Sequence, residues 1–325
     1  MVKSMASVKF LDGCIIEKDY FFTSTRMDAQ SESEYDHGRL QWFNAGEWAY
    51  RDRHWQVSSV CVLPGYSEGR TRAYVALEQG TGVVGFYSPG VADPVDETLP
   101  GAEHGHGIAS LLKICEIEKT LYLCGYAGIV MRRINGKWEK SNQSLKAMTF
   151  GDYLRDGMSF DDALNAAKLT QRDMRAIGGR ASNAIFCVGR EGVIFRFDGE
   201  TWTKIDSPTN TDLNCVYAAE DGFVYAAGNQ GILLQGKENN FWALDKGAVD
   251  DFYSICWFDG NLYIGGLKGI YRLQKNGLHY VDTNQGGFKC KGMDAAYGQL
   301  LVVAERWLLV FDGHRWTRID HPDNV

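Results

Sequence analysis

Three groups of side chains in this 325-residue chain have types and spacings that could do chemistry or recognition. Glu103, His104 and His106 fall within four residues, and imidazole with carboxylate suits zinc. They follow Leu99-Pro100-Gly101-Ala102, the composition of a solvated loop, and the sequence shows no further ligand to complete a site with them, so no metal and no cofactor is assigned. The second group is Asp152, Tyr153, Asp156, Met158, Phe160, Asp161 and Asp162. Its carboxylates suit a basic surface, and its Tyr, Met and Phe are the residue types that anchor protein interfaces. The third is a scatter of arginines, Arg70, Arg72, Arg132, Arg133 and Arg190, which could hold a carboxylate only if the fold gathered them. Gly-x-Ser-x-Gly, a phosphate loop and a dinucleotide fingerprint do not occur. The expectation is a chain without catalytic residues.

Bulk properties narrow the class. A net charge of −7 argues against nucleic-acid binding, which draws its affinity from basic surface. It suits a basic protein partner, because complementary charge speeds and orients association. The first ten residues lack the apolar core and small-residue cleavage site of a signal peptide. No run approaches the roughly eighteen apolar residues of a membrane span. The eight cysteines occur singly inside apolar runs such as Ile114-Cys115-Glu116 and Ile255-Cys256-Trp257, as reduced core cysteines do. These features predict a cytoplasmic protein, monomeric when alone, with no membrane partner.

The elements that must position these groups are set by a repeat. A motif of apolar, Tyr or Phe, apolar, small and Gly, then two residues, Gly, an apolar run, Asp/Asn-Gly and Trp recurs at 121–138, 185–202, 224–242 and 262–280, with a worn copy at 300–316. Its anchors Gly189, Gly228 and Gly266, with Ala304 in the same place, lie 39, 38 and 38 residues apart. A period near forty with several short strands per copy is that of a propeller blade. The spacing predicts an all-β fold over 1–325, a seven-bladed β-propeller of four-stranded antiparallel blades. The blades fall at about 10–52, 53–105, 106–145, 176–210, 211–247, 248–284 and 285–321; six remain if the first segment is not a blade. The last blade holds its own outer strand, which leaves the manner of ring closure open. The second strand ends in small residues, which we expect where neighbouring blades approach closely. Asp-Gly makes the outer turn, and the following Trp plugs the blade face. Trp55, Trp257 and Trp307 fall off the plug position and are the better candidates for exposed contacts. Gly178-Gly179-Arg180 reads as a turn at a blade start.

One step breaks the period. Gly125 to Gly189 is 64 residues, and the excess lies near 146–175, where strand alternation is lost. Ser159 can cap a helix whose first turn holds Asp161 and Asp162, and Phe160, Leu164 and Ala167 share a face. The spacing predicts one or two short helices inserted between blades three and four, carrying the whole of the second residue group.

The Gly-x-x-Gly and Asp-Gly-x-x-Trp pattern resembles the WD-like and degenerate Asp-box propellers of bacteria, including the photosystem assembly-factor type. The likeness covers residues 106–320 well and the first hundred weakly. The turn Asp198-Gly199-Glu200-Thr201-Trp202 is one residue shorter than an Asp box and lacks its serine. The Gly-His and Trp-Asp pairs of true WD repeats are missing. The resemblance implies a fold and leaves the activity open. The leading expectation is a non-enzymatic, protein-binding propeller: an immunity protein that neutralises a basic toxin domain of the type VI or Rhs kind. The alternatives are a carbohydrate-binding or sialidase-like propeller using the arginines and tryptophans, and an assembly factor of a larger complex.

Overall fold

Each repeat folds as its alternation dictates. Short β-branched and aromatic runs separated by Gly, Asn and Asp turns pair with their sequence neighbours. A computed structural model describes residues 7–28, 37–67, 70–91, 93–102, 110–141, 150–163, 173–244 and 249–324. They form seven four-stranded antiparallel sheets in consecutive strand order, spanning 8–53, 57–98, 111–140, 174–205, 213–243, 252–280 and 290–320. The first segment is a full blade, so the count is seven and the six-bladed option falls. The inner strands, among them Val8–Glu17, Leu111–Ile117 and Cys290–Ala296, pack side by side around a central channel.

The core is divided among the seams. Seven buried apolar clusters lie between neighbouring blades. The one between the last blade and the first joins Phe10, Ile15, Phe21 and Phe43 to Leu301, Val303, Leu308 and Val310. Seven of the eight cysteines are buried, and all are thiols. Burial pushes the Cys115 and Cys290 thiols up to about 12, so they pack as apolar groups and stay protonated at neutral pH.

The ring closes without strand exchange, since the last sheet is made wholly of residues 290–320. A side-chain clasp does the work. Asn324 Oδ1 accepts from the Val8 amide at 2.8 Å, and its Nδ2 donates to the carbonyls of Val8 and Arg306 at 2.9 and 2.7 Å. Asp294 accepts the Ile15 amide at 2.7 Å. Gln299 and Asp19 exchange two further bonds.

The anchor glycines are explained by space, with a correction. A Cβ on Gly189 would lie 1.9 Å from the carbonyl oxygen of Asp173, and one on Gly228 would lie 1.8 Å from that of Asp212. Asp173 and Asp212 precede the inner strand of the same blade, so these two anchors are crowded within a blade, whereas a Cβ on Gly265, also at the end of a second strand, would lie 2.9 Å from Cβ of Cys290 in the next blade, the close approach the sequence suggested. Two of the three tryptophans expected to be exposed are buried: Trp55 and Trp307 are 9% and 8% exposed. Arg53 covers Trp55, and Arg318 covers Trp307. Trp242, at a plug position, is 39% exposed. The outer Asp-Gly turn is a four-residue loop. Asp198 accepts the amides of Glu200 and Thr201, and Asp312 those of His314 and Arg315, while Gly199 and Gly313 take φ of +104° and +91°. These bonds to the charged carboxylate hold both Asp pKa values down. Gly178-Gly179-Arg180 belongs to the inner strand Met174–Ala181 and makes no turn. A Cβ on Gly179 would meet the Ala184 carbonyl at 2.6 Å.

Candidate functional site

The chain passes from the outer strand of one blade to the inner strand of the next at one end of the ring, the crossover face. Just inside this face every inner strand carries a β-bulge. The register slips between Phe10 and Asp12, Val57 and Ser59, Leu111 and Lys113, Met174 and Ala176, Leu213 and Cys215, Phe252 and Ser254, and Cys290 and Gly292. A bulge re-aims a side chain. Here it turns Leu11, Ser58, Leu112, Arg175, Asn214, Tyr253 and Lys291 to the mouth of a cavity of about 680 Å³ that fills the channel. Below them, Lys113 of blade 3 reaches Asp12 of blade 1 at 2.9 Å, and Ser59 of blade 2 donates to the same oxygen at 2.7 Å. Opposite charge raises the pKa of Lys113 although burial, the larger single influence, acts downward.

A second device joins the seams at this face. The residue before the inner strand is aspartate in blades 4, 5 and 6. Its carboxylate accepts an amide from the connection between second and third strands of the preceding blade: Asp173 from Ala127, Asp212 from Glu191 and Asp251 from Gln230, at 3.4, 2.9 and 2.8 Å. These donors sit in the left-handed region, with φ of 55° to 57°, which aims their N–H groups across the seam. Asp212 also pairs with Arg175 at 2.8 Å. Counted two residues before the bulged residue, this position holds Lys289 in blade 7, Lys9 in blade 1, and Gln56 and Ser110 in blades 2 and 3. Lys289 Nζ lies 4.7 Å from the centre of the Tyr253 ring, and Lys9 is 3.9 Å from Asp28.

The insertion leaves the outer strand of blade 3, Lys137–Lys140, and rejoins the chain at the inner strand of blade 4, so its connectivity places it on this same face. A helix covers Phe150–Arg155, closed by bonds from Gly157 to Leu154 and from Met158 to Tyr153. Ser159 then caps a second helical turn as its sequence suggests: its Oγ accepts the Asp162 amide at 3.2 Å, and Ala163 N–H bonds back to its carbonyl. Asp156, Met158, Phe160, Asp161 and Asp162 are exposed, Met158 at 43% and Phe160 at 63%. Tyr153 is turned inward at 8% exposure, so as folded it offers a partner little surface. The Asp152 side chain, Leu164 and Ala167 lie outside the described residues. Tyr126, Val249 and Leu267 add exposed apolar surface on other connections at this face.

The remaining sequence candidates do not converge. Glu103, His104 and His106 lie outside the described residues, and among the described residues no three His, Cys, Asp or Glu side chains stand together for a metal. Arg72, Arg132 and Arg133 pair with Glu17, Glu139 and Glu97 on their own or adjacent blades. Arg190 lies near Asp173 and Glu191. None of these four lines the channel, and the Arg70 side chain is outside the described residues. Sequence reasoning missed Asp12, Lys113 and the bulged ring. The aspartates before the inner strands of blades 4 to 6 could have been read from the sequence, but a bulge leaves no mark in it.

Comparison with known proteins places this geometry. The chain is 27% identical to the "Immune protein Tsi7" of Pseudomonas aeruginosa over 98% of this chain and all of that protein. It is 26% identical to the uncharacterised YkuO of Bacillus subtilis over 40% of this chain and 46% of that one. No family model matches. Among solved structures, YCF48 bound to D1 peptide superposes with a TM-score of 0.64 at 12% identity, covering 97% of this chain and 93% of that one. The WD40 propeller domain of Doa1 gives 0.63 at 11% identity, covering 98% and 96%. No helix among the described residues is long and apolar enough to cross a membrane. With its seven four-stranded sheets, and with the likeness of its fold to these solved structures, this chain is a seven-bladed β-propeller.

Proposed function

We propose that this propeller is a non-enzymatic immunity protein that binds and neutralises a cognate toxin domain, acting in the cytoplasm through its crossover face. The observation that carries the reading is the likeness to an immune protein over 98% of this chain and all of that one. The face itself supports it. Met158 and Phe160 expose apolar side chains beside Asp156, Asp161 and Asp162, a pairing of anchor and charge that fits a basic partner. Asp152 belongs with them by sequence. A rigid ring pays little ordering entropy when it docks, so a small set of anchors suffices for tight binding.

The test is capture from the native host with tagged protein, followed by co-expression of the captured partner in a susceptible bacterium. The expected result is one stoichiometric basic partner that is lethal alone and harmless with this chain. A partner that does not impair growth, or growth that this chain fails to rescue, would overturn the immunity reading. Removal of residues 150–163 should weaken capture while the ring stays folded.

A further inference from the structure

We infer that the crossover face over blades 7 and 1 docks an acidic peptide segment of the partner, with Lys9, Lys289 and Lys291 as its cationic contacts and Tyr253 as its apolar wall. The inference rests on the reading that this propeller binds a protein, and it adds a second, oppositely charged contact to it.

The repeat supplies the argument. At the position before the inner strand, blades 4 to 6 use aspartate to accept an amide across the seam. Counted two residues before the bulge, blades 2 and 3 carry Gln56 and Ser110 at that position and blades 7 and 1 carry Lys289 and Lys9, and a lysine cannot accept that bond. The seam between these blades is held instead by the Asn324 clasp and by the Phe10 amide on the Glu305 carbonyl. The lysines therefore stand where three other blades place a structural aspartate and do not take over its role, and local departures of this kind concentrate at functional sites. The bulge adds a third ammonium by turning Lys291 to the channel mouth beside them. Burial lowers the pKa of Lys291, and the charges of Lys289, Arg26 and Lys9 lower it further, with Glu305 acting the other way. Like charges are thus held close enough to repel, and an anion docked among them would relieve that repulsion.

The rest of the face selects the class of anion. Asp212 and Asp251 stand partly exposed on the neighbouring crossovers, so a long polyanion leaving the lysine sector would run onto carboxylates. A short acidic segment on a protein that is basic elsewhere avoids this. The two-signed face would also fix the partner's orientation.

The experiment uses the full chain and a fluorescein-labelled decapeptide of alternating Asp and Glu, read by anisotropy at low salt. The triple variant Lys9→Gln, Lys289→Gln, Lys291→Gln is compared with Lys137→Gln, Lys204→Gln as a control of remote charge. Lys291→Met, which keeps the buried stem, serves if the triple variant does not fold. We expect the decapeptide to bind, a loss of about tenfold or more in the triple variant, and little change in the control. Equal loss in both variants, no binding, or tighter binding of a single-stranded oligonucleotide or of phosphatidylserine vesicles at the same sector would overturn the inference. Capture of the host partner separates the two readings. If the triple variant holds that partner with unchanged affinity, the sector assignment falls while the protein-binding reading stands. If the unaltered chain captures no partner, the protein-binding reading falls with it.

Discussion

The Lys113 ammonium lies 2.9 Å from the Asp12 carboxylate and joins the inner strand of blade 3 to that of blade 1 past blade 2. Asp12 also accepts the Ser59 hydroxyl and the Val60 amide, so one carboxylate ties three blades at the channel wall. The two partners differ in their alternatives. Asp12 is 6% exposed, whereas the Lys113 side chain is 39% exposed to the channel.

Lys113→Met should therefore destabilise the ring by about 1–3 kcal/mol, because it leaves a buried carboxylate without its cation. Asp12→Asn should cost less, since the channel can hydrate the stranded ammonium. Urea unfolding of the two variants gives the ranking, and the reverse order would mean that the lysine is the poorly solvated partner.

Gly189→Ala puts a methyl against the Asp173 carbonyl at 1.9 Å, a backbone atom that no rotamer change can move. A loss of about 3 kcal/mol is expected. Ala304→Gly at the equivalent place in blade 7 should cost only about 1 kcal/mol, the entropy of an extra glycine. Similar losses in both variants would show that these positions are not held by steric crowding.

His321 packs edge-on against Trp48 at 4.7 Å and Phe10 at 6.0 Å and accepts the Asp323 amide on Nδ1. Burial lowers its pKa below the ordinary histidine value, Asp323 opposes this, and Arg39 adds to it. The unfolded chain thus takes up the proton first. The contribution of His321 is fully present above the unfolded value of about 6.5 and is lost as the pH falls through the lower folded value. Protonation also removes the Nδ1 acceptor two residues from Asp323 and three from the Asn324 clasp. Stability should fall as the pH drops below about 6.5, and His321→Asn should flatten that part of the profile. An unchanged slope in the variant would assign the loss to other groups.

Met158→Ser with Phe160→Ser should leave thermal stability nearly unchanged, within about 0.5 kcal/mol, because both side chains are exposed. The pair should weaken partner binding by about tenfold or more if they are anchors. Tyr153→Ala should behave in the opposite way, loosening the insertion because the ring is buried. Calorimetric melts and binding titrations on the same samples separate the two effects.

Much of the fold is legible because it repeats. A glycine crowded by a carbonyl, an Asp that caps a four-residue turn and a Trp behind it are local requirements, and each copy of the sequence states them again. The Ser159 cap is legible for the same reason, as it involves residues three apart. Orientation across the ring is not. Tyr153 has the composition of an interface anchor yet faces inward, and Trp55 and Trp307 leave the plug position yet lie under Arg53 and Arg318. Trp55 joins the cluster of Phe22, Leu40 and Tyr74, and Trp307 that of Cys256, Phe258 and Tyr263, contacts with residues distant in the chain.

The sequence by itself determined the all-β class, the period and approximate bounds of the blades, the reduced cysteines and the place of the insertion, because each follows from a period or from neighbours in the chain, while the first segment's standing as a seventh blade came from its strand pairing. Only the tertiary structure decided which side chains meet around the channel. Asp12 and Lys113 are 101 residues apart, and Val8 and Asn324 are 316 apart. Ring closure brings such pairs within hydrogen-bond reach, and a bulge in each inner strand, invisible in any one repeat, chooses the residues that face the mouth.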